Sequence, residues 1–147
     1  MIDIENKVID NLSQAFDGVA KVSGVFVESP AEFPWVYARE ISNSEYQRSI
    51  DNDLHDHHAS VTFRVEYYSA ARVGAKQEIK ALAQIGDIAM QNMKFTRTFY
   101  QPLPNLDRTI FRITMRWEAI AGEPVITTTT GTGNETVTTT TYQMYRE

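Results

Sequence analysis

Residues 111–119, FRITMRWEA, alternate with a period of two, and few other patterns narrow the folds open to a chain so strongly. Phe111, Ile113, Met115, Trp117 and Ala119 fall on one side, while Arg112, Thr114, Arg116 and Glu118 fall on the other. Successive side chains of a strand point to opposite faces, so this is a strand with one face in a core and one face polar. Residues 59–68 repeat the pattern: Ala59, Val61, Phe63, Val65 and Tyr67 oppose Ser60, Thr62, Arg64, Glu66 and Tyr68. Two such strands imply an antiparallel sheet with helices over its apolar face, its other face left to water or a partner.

The helices are visible too. Ile4, Val8, Ile9, Leu12, Ala15, Phe16 and Val19 recur at helical spacing, with Asp17-Gly18 as a stop. Ala75, Ile79, Leu82, Gly86, Ala89 and Met93 form a second stripe, widened by Ile85 and Ile88. A glycine inside a helix costs roughly 1 kcal/mol relative to alanine; close packing of helix on sheet would account for Gly86. Residues 22–28 and 33–41 read as strands, 42–58 as a polar loop, and 94–122 as two strands around a Pro-rich turn. The expected architecture is α+β: a mainly antiparallel sheet of about four to five strands with two helices packed on one face.

Residues 122–124 mark a change of composition. Beyond them two Thr-rich arms flank Gly131-Thr132-Gly133-Asn134, which reads as a C-terminal β-hairpin extension. The expected division is a domain at 1–122 and a hairpin or arm at 123–147. An isolated two-stranded hairpin is marginal in water, so the segment is either a disordered tail or a hairpin supported by the sheet edge or another subunit. On this reading, truncation after Gly122 spares folding.

A chain of 147 residues suffices for one domain with a sizeable core. It has no Cys, which excludes disulfides and thiolate metal sites. No apolar run approaches the roughly 18 residues that cross a bilayer, and the acidic, amphipathic MIDIENKVIDNL is unlike a signal peptide. A soluble protein made in a cytoplasm is expected. Net charge is −5, unevenly spread: residues 1–60 carry 11 acids and 4 bases, residues 61–147 carry 8 acids and 10 bases. The acidic balance argues against phosphate-backbone binding as the main task. The asymmetry suits head-to-tail packing of copies.

Chemistry-bearing clusters are sparse. His55-Asp56-His57-His58 is the densest set of metal-ligand types. It keeps open a small metal-dependent hydrolase or ligand-binding domain centred on His55, Asp56 and His57. Neighbours on a strand point apart, so only His55 and His57 could converge, and a solvated loop is the simpler reading. Asp51 and Asp53 lie in the same polar stretch, no Ser sits in a GxSxG turn, and Gly131-x-Gly133 joins no strand to a helix. The expectation is no catalytic residue, no metal, no cofactor and no enzymatic activity.

The polar sheet face is more informative. Arg64, Glu66, Arg112, Arg116 and Glu118 are candidate subunit-interface or lumen residues, expected side by side as cross-strand pairs of opposite sign. Arg112→Glu or Arg116→Glu is then expected to leave the monomer folded and disturb assembly. Val125, Ile126, Val137 and Tyr142 are the candidate partner-docking positions of the arm.

Three segments taken in order, FPWVYAREISNSEYQRS (33–49), HHASVTFRVEYYS (57–69) and FTRTFYQPLPNLDRTIFRITMRWEAIAG (95–122), resemble a family of small proteins of long-tailed bacteriophages. These are the tail terminator and minor neck, or head–tail joining, proteins. The resemblance covers roughly residues 1–122, rests on the ordered combination rather than on any one motif, and does not extend to the Thr-rich segment. It implies a helix-backed sheet, and a homohexameric ring that caps the head-proximal end of the tail tube. It further implies that the ring stops tube polymerisation and docks on the head connector. The implied partners are copies of itself, the tail tube protein and the head-completion or connector protein. Genomic DNA would pass through the channel without specific binding, and no membrane is involved. The implied location is the virion tail–head junction, after assembly in the bacterial host cytoplasm. A sister neck or minor capsid protein is the nearest alternative.

Overall fold

Two helices lie on one face of a single mixed sheet of six strands. The order is α1 (Glu5–Ala15), β1 (Lys21–Ser23), β2 (Trp35–Glu45), β3 (His58–Ser69), α2 (Ala75–Asn92), β4 (Thr96–Leu103), β5 (Phe111–Thr130) and β6 (Thr136–Tyr145). A computed structural model describes residues 1–27, 30–46, 58–70, 73–103, 109–133 and 135–146. Strands run β1-β2-β3-β5-β4 across the sheet, and β6 pairs with β5. Among the described residues only the β1–β2 pairing is parallel. The α+β expectation holds, and β5 and β6 form the expected C-terminal hairpin; the sheet has slightly more strands than expected because β6 pairs with a strand of the main sheet.

The two alternating segments pair along their whole length. Val61 lies opposite Ala119, Phe63 opposite Trp117, Val65 opposite Met115 and Tyr67 opposite Ile113, so each cross-strand pair puts two apolar side chains under the helices. Phe95 meets Phe63 edge-on, with ring centroids 5.5 Å apart. Helix α1 contributes Val8 and Leu12, continued by Ile4 and Phe16 beyond its ends. It ends at Ala15, and Gly18 at φ +72° turns the chain away. Val19, which extends the sequence stripe, therefore lies outside the helix and is exposed. Helix α2 buries Ala75, Ile79, Leu82, Ala83, Gly86 and Met90, while Ile88 faces solvent instead of widening the stripe.

Two strands differ from expectation. Strand β1 stops at Ser23 instead of running to 28, and the chain leaves the sheet there. Strand β2 continues to Glu45, into residues expected as loop, with a register break between Glu40 and Ser42. The segment after β1 folds back over the reverse face of the sheet. Phe26 stands edge-on against Tyr37 at 5.8 Å, and Val27 and Phe33 pack on a second buried cluster of Trp35, Tyr37, Tyr68 and Ile110. The reverse face is thus apolar and covered at one end, not polar throughout.

The N-terminus is tied to β2 by polar groups. Asn43 donates from Nδ2 to the Ile2 carbonyl at 2.7 Å and to Glu40 Oε1 at 3.2 Å, and Glu40 N–H donates to Glu5 Oε2 at 3.2 Å. Burial raises the Glu40 pKa; the Asn43 bond opposes this, and the Asp3 and Glu5 charges add to it. A carboxyl that holds its proton more tightly when folded adds stability at low pH, and that contribution fades as pH rises through the folded pKa. Glu40→Gln is therefore expected to raise the melting temperature at pH 7, with the gain vanishing near pH 4. A gain unchanged across that range in thermal melts would contradict this origin.

Strand β5 is the element that reaches furthest. It runs unbroken through residues 122–124, past the point where β3 ends at the His58–Gly122 pair. The register with β6 breaks between Ala121 and Pro124, where a proline that cannot donate is tolerated. Beyond that point β5 and β6 form a two-stranded arm. The far end of β6 returns to the domain: Tyr142 and Met144 pack on the main core, with Lys7 Nζ 5.5 Å from the Tyr142 ring centroid. Truncation after Gly122 would strip these side chains from the core, so it is not the neutral change expected from sequence. Among the described residues no helix is long and apolar enough to cross a membrane.

Candidate assembly surface

The middle of the reverse face carries the predicted residues, in an arrangement unlike the expected one. Arg64 lies directly opposite Arg116 on β5 and directly opposite Arg39 on β2, so three guanidinium groups stand in one row across three strands. Like charges placed opposite each other destabilise a sheet. Neither Arg39 nor Arg64 has an ion pair among the described residues. Arg116 lies over the Phe99 ring at 5.1 Å, Phe99 being its partner on β4. Glu118 sits two pairs further along, opposite Thr62. Directly opposite positions in this row carry like charges, and the expected pairing of opposite signs is met instead on a diagonal.

One acid–base pair forms diagonally. Glu66 faces Thr114, and Arg112 is two residues back along β5, within diagonal reach. Arg112 Nη2 donates to Glu66 Oε1 at 2.7 Å, and the Tyr68 hydroxyl donates to Glu66 Oε2 at 2.7 Å. The Glu66 side chain is 2% exposed and that of Arg112 25%. The guanidinium also lies over the Tyr68 ring at 5.6 Å. Burial raises the Tyr68 pKa above the ordinary phenol range, and the bond to the Glu66 carboxylate and its charge push the same way. Burial pulls the Arg112 pKa down, but its bond and attraction to Glu66 outweigh this and raise it.

Glu66 and Arg112 are thus part of the fold as much as of the surface. Arg112→Glu would place two carboxylates in this enclosure, so only Arg116→Glu remains a clean probe of assembly. Arg64, Glu66, Arg112 and Arg116 together line a shallow hollow of about 220 Å³, with Gln101 and Thr114 beside them. Such a hollow can take the carboxylate or another anionic group of a partner.

The arm positions divide. Val125, Ile126 and Val137 are 56%, 66% and 58% exposed, whereas Tyr142 is half-buried on its own domain. Thr127 faces Thr139 and Thr128 faces Thr138, so threonine pairs make up much of the arm. Among the described residues, β5 beyond Gly122 pairs only with β6.

Residues 55–57 of the histidine cluster lie outside the described residues, as do Asp51 and Asp53. His58 is half-buried on β3 beside the Tyr145 ring at 5.6 Å. Among the described residues no group of three or more His, Cys, Asp or Glu could hold a metal ion. Arg39 and Tyr68 were missed from sequence as members of this surface. Arg39 shares the phase of Trp35 and Tyr37, but its place beside Arg64 depends on the β2–β3 register, which no local pattern encodes. Compared with known families and curated proteins, the chain matches no family model and no curated sequence.

Proposed function

We propose that this chain is a structural virion protein of a long-tailed bacteriophage, forming a ring at the head-proximal end of the tail tube. The ring terminates tube polymerisation and joins the tail to the head connector. One observation carries the reading. A core strand continues out of the domain as a ribbon whose apolar side chains have nothing of their own to cover them. Such a ribbon is marginal alone, and its natural role is to lie on another chain. The arginine row on the reverse face supports the same view, because it places like charges together where an acidic neighbour would relieve them. The ordered resemblance of three segments to tail terminator and neck proteins supplies the particular assembly. Copies packed head to tail close into a ring when the rotation between them permits.

The reading is tested by adding the purified protein to growing tail tubes and following tube length. The protein is expected to stop growth and to sit at one tube end. Arg116→Glu, at an exposed strand position, is expected to leave circular dichroism unchanged and to weaken capping tenfold or more. Binding to the connector with no effect on tubes would instead favour a sister neck protein. Tubes that grow unhindered, with no binding to the connector, would overturn both.

A further inference from the structure

We propose that an apolar groove between α2 and the end of β4 receives the Thr-rich arm of a second copy of this chain. The proposal rests on the reading that copies of this chain associate, and names the contact that joins them. The groove exists because two helices cannot cover six strands. Tyr100 and Pro102 face the helix side of the sheet, opposite the core residues Met115 and Ile113, yet Tyr100 remains 45% exposed. The space left is about 540 Å³, lined by Ile79, Phe111 and Ile113. Lys76 and Lys80 stand at its edge, and no carboxylate lines it among the described residues.

The arm has the complementary properties. Val125 and Val137 lie on one face of the ribbon, because Val125 faces Thr141 and Val137 faces Thr129 in the same alternation. Both are exposed. Between Glu118 and Tyr145 the chain carries Glu123 and Glu135 but no Lys, Arg or His. A threonine ribbon with exposed valines and glutamates as its only charges thus matches an apolar groove edged by lysines.

Geometry forbids an intramolecular fit. The groove is built at the start of β5, around residues 110–113, and the arm leaves from its far end beyond Gly122. At 3.4 Å per residue these lie roughly 30 Å apart, and the arm runs away from the groove. The contact therefore lies between copies, and when it runs head to tail it passes from each copy to the next.

Two full-length variants test this by analytical ultracentrifugation. Val125→Asp with Val137→Asp disables the arm, and Lys76→Glu with Lys80→Glu disables the groove; all four positions are exposed, so folding, checked by circular dichroism, is expected to persist. Each variant alone is expected to associate at least roughly 100-fold more weakly than the parent chain. Mixed in equal amounts they are expected to form dimers and nothing larger, because only one intact arm meets one intact groove. A mixture that stays monomeric, or an arm variant that fails while the groove variant assembles normally, would overturn the proposal. Rings indifferent to both variants would overturn it and leave the ring reading standing. Open chains lost in both variants would support it and remove the ring. A parent chain that is monomeric both alone and on tail tubes would remove the two together.

Discussion

Arg112→Ala is expected to destabilise the protein by about 3–5 kcal/mol, the usual cost of stripping one partner from a buried ion pair. The reason lies with Glu66. Its carboxylate is almost entirely enclosed and is held by Arg112 and the Tyr68 hydroxyl. Without the guanidinium, the carboxylate keeps its bond from Tyr68 but loses its ion pair, and Arg64 and Arg116 only line the same hollow. Removing both charges avoids that penalty, so Glu66→Leu with Arg112→Met is expected to recover most of the loss. Urea denaturation with a constant slope would measure both. A cost below about 1 kcal/mol for Arg112→Ala would mean that water reaches Glu66 and that the enclosure is not dry.

Gly86→Ala is expected to destabilise by about 2 kcal/mol although alanine is the better helix former, because overpacking outweighs propensity. A Cβ at this position would overlap the Tyr67 hydroxyl and lie 2.7 Å from Tyr67 Cζ. The tyrosine is fully buried and packed near Phe16, so its ring has nowhere to retreat. Among the described residues its hydroxyl has no hydrogen-bond partner. Burial, reinforced by the Asp87 charge and only partly opposed by Arg97, raises its pKa and keeps it neutral. Tyr67→Phe is therefore expected to cost little, since no hydrogen bond is lost. In the Gly86→Ala background it should recover much of the loss. A double-mutant cycle reports that coupling directly, and additive effects would rule out the hydroxyl as the obstacle.

These two sites show what local pattern conveys and what it does not. The alternation at 59–68 and 111–119 was legible because burial on one face forces a period of two on each strand independently. Gly86 was legible as a close approach, since a helix-interior glycine needs a reason. The Glu66–Arg112 pair was legible only as two polar-face residues. Its surroundings are built by long-range contacts, Phe26 against Tyr37 and Val27 and Phe33 on the cluster that holds Tyr68, which leave no periodic trace. Arg39 was missed for the same cause, because strand register is set between distant segments. The boundary at residues 122–124 misled in the opposite sense. Gly and Pro usually punctuate, but here β5 passes through them where its neighbour β3 ends and the β6 register slips, so neither residue interrupts a ladder on both sides.

Electron microscopy of the purified protein with tail tubes probes most directly whether this sheet and its outreaching ribbon exist to join copies of the chain. Closed rings, hexameric by the resemblance and stacked at a single tube end, are the expected images. Isolated particles of one chain, absent from tube ends at every concentration, would contradict the account.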